Sequence, residues 1–224
     1  TKKGETNVNP IEAFCNENYK EQLLDKVCKG ADIPKTAFAG VLYRDSDAKV
    51  PPFVVKCAVL PYVEQLTEKP KHIGDYKTAF SDFEMLEESD KVAQTFDPDS
   101  FVAMLEKLAN IKDAYKKPQR LIPLCRFGTG KQINDVIAAM NKWSDWNKYA
   151  TSGRTAIIVA RGALLLSDTR EAMLYAEKNK ILRVYALMRD MDTETLRDNV
   201  LANFGLDENG KKSLDIGNTT IEVS

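Results

Sequence analysis

Lys131 follows Phe127-Gly128-Thr129-Gly130 and precedes a helical pattern, the surroundings of a phosphate loop. Such a loop needs a glycine five residues before the second one and a Ser or Thr after the lysine to hold magnesium. Cys125 and Gln132 stand at those positions. The spacing therefore predicts a turn between helices whose glycines supply positive φ. Asp207-Glu208-Asn209-Gly210 begins like a calcium loop, yet its twelfth position is Asn218 and Lys211-Lys212 repel a cation. His72, the only histidine, lies in the polar run Glu68 to Gly74. Cys15, Cys28, Cys57 and Cys125 are far apart with no C-x-x-C pair, which predicts free thiols of a reducing compartment. One histidine and scattered cysteines build neither a zinc site nor an activated nucleophile. The carboxylates Asp82, Glu84, Glu87, Glu88 and Asp90 read as a solvated helix face rather than a tuned acid/base pair. No catalytic residue, cofactor or metal is expected, so the chain reads as a non-enzyme.

Charge distribution carries more information than these motifs. The 224 residues have a formal net charge of −1. Yet residues 75–100 hold eight acidic against two basic groups, and residues 101–154 hold ten basic against four acidic. Two neighbouring layers attracting one another is the first reading; a basic ridge for an anionic partner is the second. Trp143, Trp146 and Tyr149 stand among Lys142, Lys148 and Arg154, a mixture that can hold nucleic-acid strands by stacking and charge. Lys142, Trp146, Lys148 and Arg154 are accordingly the expected interaction surface. Arg161, Asp168, Arg170 and Arg189 are expected as struts between helices, because half-buried arginines need carboxylate or carbonyl partners.

These residues must be positioned by helices. Phe101, Met104, Leu105, Leu108 and Ile111 form one helical face, opened by the cap Asp97-Pro98. Ile133, Val136, Ile137 and Met140 repeat the pattern as far as Trp143, and Leu196, Val200, Leu201 and Phe204 form a later stripe. Two segments are apolar nearly all round. One runs from Phe53 to Leu66, with a kink expected at Pro61; the other runs from Ala156 to Leu166, opened by Ser152-Gly153. Both should be central helices. Two short helices should follow Asp168, parted near Lys178-Asn179-Lys180. Ser213 to Ile216 and Thr220 to Val223 alternate polar with apolar around Gly217-Asn218, a β-hairpin pattern. The expected architecture is all-α, a HEAT/armadillo-like superhelix of antiparallel helix pairs, 132–143 with 153–166 and 169–178 with 181–190, ending in that small hairpin. The expected division is 1–205 helical, with a subdivision near 97 as an option, and 206–224 as hairpin or the start of a following domain. With 43% hydrophobic and 29% charged residues, and no signal or membrane-spanning pattern, the expected location is the cytoplasm.

Several stretches resemble a known family. They are Phe101-Val102-Ala103-Met104-Leu105, Trp143, Gly153-Arg154-Thr155-Ala156, Gly162 through Ala172, and Phe204-Gly205-Leu206-Asp207-Glu208-Asn209-Gly210 with Leu214-Asp215-Ile216-Gly217. Together they resemble large bacterial proteins carrying a domain of unknown function, typified by the molybdate metabolism regulator. Val41-Leu42-Tyr43-Arg44-Asp45 with Val50-Pro51-Pro52 is similar to the segment preceding their repeats. The resemblance covers residues 38–224 and implies a piece of a longer protein with HEAT-type repeats, acting as a scaffold. It transfers no catalytic residue. Two functions follow as expectations: a scaffold that binds a protein or adjacent domains of its own chain, or a nucleic-acid-binding helical domain using residues 107–154.

Overall fold

The computed structural model describes residues 9–65, 83–144, 146–196, 212–216 and 219–223; for 146–151 and the last two segments it describes the backbone alone. The described residues are all-α apart from a short ribbon and isolated β-bridges. The chain separates into two compact units, residues 1–172 and 173–224. The sequence pattern indicates a division at 205, with one near 97 as an option.

The first unit contains α1 (Pro10–Asn18), α2 (Glu21–Gly30), α3 (Pro52–Glu64), α4 (Glu87–Ala93), α5 (Pro98–Ala109), α6 (Leu121–Phe127), α7 (Gly130–Trp143) and α8 (Trp146–Leu165). Apolar on nearly every side, α3 packs against α1, α2, α4 and α6, as a helix with little polar face must. Its buried Lys56 meets Asp25 of α2 at 2.7 Å. Pro61 lies inside α3. Lacking an N–H, it cannot serve the carbonyl four residues back. That carbonyl belongs to Cys57, and Ser89 Oγ of α4 donates to it at 3.1 Å.

The Asp97 side chain caps α5 through the Ser100 N–H at 2.9 Å, with Pro98 in the first turn, as the sequence predicts. Helix α8 differs from the expectation. It begins at Trp146, and Ser152-Gly153 lie inside it. One interior glycine costs only about 1 kcal/mol, which packing of α8 against α6 and α7 outweighs. A second glycine of this helix, Gly162, is buried where the Phe83 ring presses on the backbone, in the space a Cβ would take.

Helix α9 (Arg170–Lys178) crosses the boundary between the units, and α10 (Leu182–Leu187) belongs to the second. They part where the sequence indicates, at Asn179-Lys180. Lys180 takes φ 60°, and the Ile181 N–H reaches the Ala176 carbonyl at 2.9 Å, a left-handed helix stop made without glycine. Asp190, at φ 51°, ends α10 similarly, with Met191 N–H on the Ala186 carbonyl. The predicted hairpin is formed by β1 (Lys212–Ile216) and β2 (Thr219–Val223), antiparallel with Leu214 opposite Ile221. The stripe from Val200 to Phe204, His72 and the Asp207–Gly210 turn lie outside the described residues. Among the described residues no helix is long and apolar enough to cross a membrane.

Candidate functional site

Two features of the first unit gather polar side chains: an ionic centre and an open groove. The ionic centre starts from Arg126, a single charge in the otherwise apolar helix α6. Its Nη2 bonds Asp90 Oδ2 at 2.8 Å and its Nε faces Asp90 Oδ1 at 3.3 Å. Its Nη1 donates to the Leu166 carbonyl at 2.9 Å and also meets the Asp168 carboxylate. Asp90 in turn accepts from the Tyr62 hydroxyl at 2.7 Å, and that hydroxyl accepts the Leu86 N–H at 2.9 Å. Burial opposes the charge of Arg126, but the bond from Asp90 and the field of Asp168 overcome it and hold the guanidinium protonated more firmly than usual. Burial likewise pushes Tyr62 up. The centre joins α3, α4, α6 and the turn after α8. It borders a cleft of about 230 Å³ whose walls include Phe96, Phe101 and Phe127.

The groove is wider, about 860 Å³. One wall is α1, capped by the Asn9 side chain on the Ile11 N–H at 3.0 Å. The other is the strand-like segment 42–49. Tyr43 N–H bonds the Ala48 carbonyl on one side, while Arg44 N–H bonds the Thr95 carbonyl on the other. Pro10, Ile11 and Phe14 supply apolar lining, and Arg44, Lys49 and Lys91 supply charge. The carboxylate in this lining, Glu12, accepts the Tyr43 hydroxyl at 3.1 Å. Burial, then that bond, raise the Tyr43 phenol above its ordinary range.

No protein-family model, no curated protein and no solved structure matches this chain.

The expected interaction surface is placed in part. Lys142 is exposed in the last turn of α7 and Arg154 is exposed on α8, while the side chains of Trp146 and Lys148 lie outside the described ones. Trp143 is buried at 3% exposure, so its apolar ring joins the core and not a stacking platform. Two cations of the basic stretch are also spent internally: Arg126 as above, and Arg120, whose Nε donates to the Ala31 carbonyl at 2.9 Å.

Of the expected struts, Asp168 meets Arg126. Arg161 is half-buried on α8 and Arg170 is exposed at the start of α9. In the second unit, Arg189 lies 3.6 Å from the centre of the Tyr185 ring and bonds the Tyr185 carbonyl at 2.9 Å.

Two expectations are corrected. Asp90 is not part of a solvated face: its side chain is 16% exposed and paired, because Tyr62 and Arg126 supply the donors it needs. Gly128 and Gly130 do not supply positive φ; among the described residues Gly40 is the glycine that does. They serve close approach instead. A Cβ at Gly128 would strike the Leu124 carbonyl, and one at Gly130 would strike the Glu171 carboxylate. A native carboxylate thus lies beside the start of α7, where the helix dipole favours negative charge. Gln132 completes the cap on Thr129.

Proposed function

We propose that this chain is a non-catalytic interaction module, a segment of a helical-repeat scaffold of the HEAT/armadillo kind within a larger bacterial protein. The groove between α1 and residues 42–49 is its docking surface, and an acidic, partly apolar peptide segment of a protein partner is the occupant. One observation carries the reading: three cations, Arg44, Lys49 and Lys91, line the groove with one carboxylate, Glu12, which is already engaged by Tyr43, and Lys91 shares its charge with Glu87 at 3.6 Å. Apolar lining from Pro10, Ile11 and Phe14 supplies contact area that charge alone does not. The resemblance to the molybdate metabolism regulator-like proteins, and the cytoplasmic location it implies, belong to the same proposal.

Selection of random peptides on the immobilised chain tests it. The expected ligands combine Asp or Glu with apolar residues, and Arg44→Glu with Lys49→Glu abolishes their binding. Basic ligands, or acidic ones indifferent to this reversal, overturn the reading.

Nucleic-acid binding through residues 107–154 is the second reading. Lys107, Lys112, Lys131, Lys142 and Arg154 are exposed and support it; the burial of Trp143 weakens it. Steeply salt-dependent binding of single-stranded DNA, lost on reversing Lys142 and Arg154, is its signature.

A further inference from the structure

A third cavity of the first unit, about 460 Å³, lies between α5 and residues 33–40, a stretch that carries the short 3₁₀ turn Lys35–Phe38. One wall is a single face of α5: Ser100, Ala103, Met104, Lys107 and Leu108 fall at i, i+3, i+4, i+7 and i+8. The facing wall includes Ile33, Pro34, Ala37 and Ala39. Several polar groups of these walls are already engaged. Ser100 Oγ accepts the Leu42 N–H at 3.0 Å and donates to the Asp97 carbonyl at 3.2 Å. The Ile33 N–H bonds the Cys28 carbonyl at 2.8 Å, and the Pro34 carbonyl takes the Ala37 N–H at 2.9 Å. Between its ends the cavity is walled mainly by hydrocarbon.

Its charge gathers at one end. The facing wall meets the start of α5 where Leu42 bonds Ser100, and its other end, at Ala31 and Asp32, is held by Arg120. Lys107 lies toward that same end, near the close of α5, and no carboxylate among the described residues lines the cavity. Lys107 is exposed and makes no ion pair among the described residues. Arg120 is enclosed, its side chain 18% exposed, with Nε on the Ala31 carbonyl at 2.9 Å and Nη2 on the Asp32 carbonyl. Carbonyls fix the guanidinium without neutralising it. The Asp32 carboxylate stands 3.7 Å from Nη2 but is 80% exposed, where solvent screens it. Nη1 bonds nothing among the described residues. The end of α5 adds about half a negative charge, less than the two cations supply.

We propose that this cavity binds a medium-chain fatty carboxylate. The carboxylate sits between Lys107 and Arg120, and the chain runs along α5 toward Ser100. The helix rises about 10 Å from Ser100 to Lys107, the reach of an extended chain of about eight carbons. Apolar walls with a few polar groups at one end are the ordinary form of a small-molecule site. A sugar or a peptide needs hydrogen bonds along its length, and Ala103, Met104, Ile33 and Ala37 have no polar side-chain atoms to give them. The site is independent of the acidic-peptide groove beside α1, with which it shares no lining residue.

The test is calorimetric titration of the full chain with hexanoate, octanoate and octylamine. Each methylene that enters the cavity tightens binding about fourfold, so octanoate should bind about sixteenfold more tightly than hexanoate. Octylamine, with the same chain and the opposite charge, should not bind. Lys107→Gln should lower octanoate affinity about fivefold. Ala103→Leu narrows the cavity without touching either cation and should abolish binding. Both positions are exposed, so both variants keep the fold, which their melting curves check. Arg44→Glu, in the other groove, leaves octanoate binding unchanged. The proposal is overturned if octanoate fails to bind, if hexanoate or octylamine equals it, if Ala103→Leu and Lys107→Gln leave its affinity as it was, or if Arg44→Glu weakens it.

Discussion

Arg126 grips Asp90 with two nitrogens, Nη2 at 2.8 Å and Nε at 3.3 Å, and both side chains are more than four-fifths covered. A charge so enclosed is costly when its partner is removed. Arg126→Met should lower the unfolding free energy by about 3–5 kcal/mol in urea titration, and Arg126→Lys should recover only part, having no second nitrogen for Asp90. Asp168→Ala should cost under about 1 kcal/mol, because that carboxylate is 60% exposed. Equal losses at Asp90 and Asp168 would show that enclosure is not the cause.

Tyr62 extends the same centre toward α3. Tyr62→Phe leaves the Leu86 N–H without its acceptor and removes one of the two donors to Asp90 Oδ1, a loss of about 1–3 kcal/mol. The pH dependence has a definite sign. Burial raises the folded-state value of Tyr62, so above about pH 10 the unfolded chain binds fewer protons than the folded one and stability falls. The contribution is full below the unfolded value and fades as pH rises toward the folded one. Alkaline unfolding of Tyr62→Phe should therefore be shallower than that of the parent chain, though Tyr19 and Tyr43, also raised, keep part of the slope.

Gly162 offers a packing test. A methyl group there would overlap the Phe83 ring. Gly162→Ala should destabilise by about 1–3 kcal/mol, despite the better helix propensity of alanine. Adding Phe83→Leu should recover part of that loss, a non-additivity readable in a double-mutant cycle. Gly130→Ala is the control: it meets the far end of the flexible Glu171 side chain and should be nearly neutral.

Helices were legible wherever a period repeated, as at Phe101 to Leu108, or where punctuation was strong, as at Asp97-Pro98 and Lys180. The first turns of α8 were missed because Ser152-Gly153 looks like an opening and packing overrode it. The ionic centre was not legible. Tyr62 and Arg126 lie 28 and 36 positions from Asp90, and Asp168 lies 42 from Arg126, so no local pattern links them. A lone arginine in the apolar run Leu121 to Phe127 was the available signal, and the expected struts, Arg161, Asp168, Arg170 and Arg189, did not include it. The charge blocks were real, but counting along the chain overstated the outward field, since Arg120 and Arg126 turn inward.

The rung that Pro61 removes from α3 has a bearing on the order of assembly. Its replacement, Ser89, arrives 32 positions later in the chain than Cys57. As the polypeptide leaves the ribosome, this helix can coil early but cannot be completed from its own atoms. It becomes whole only against α4, so Ser89→Ala is expected to slow refolding if that contact forms in the transition state, which stopped-flow measurement checks.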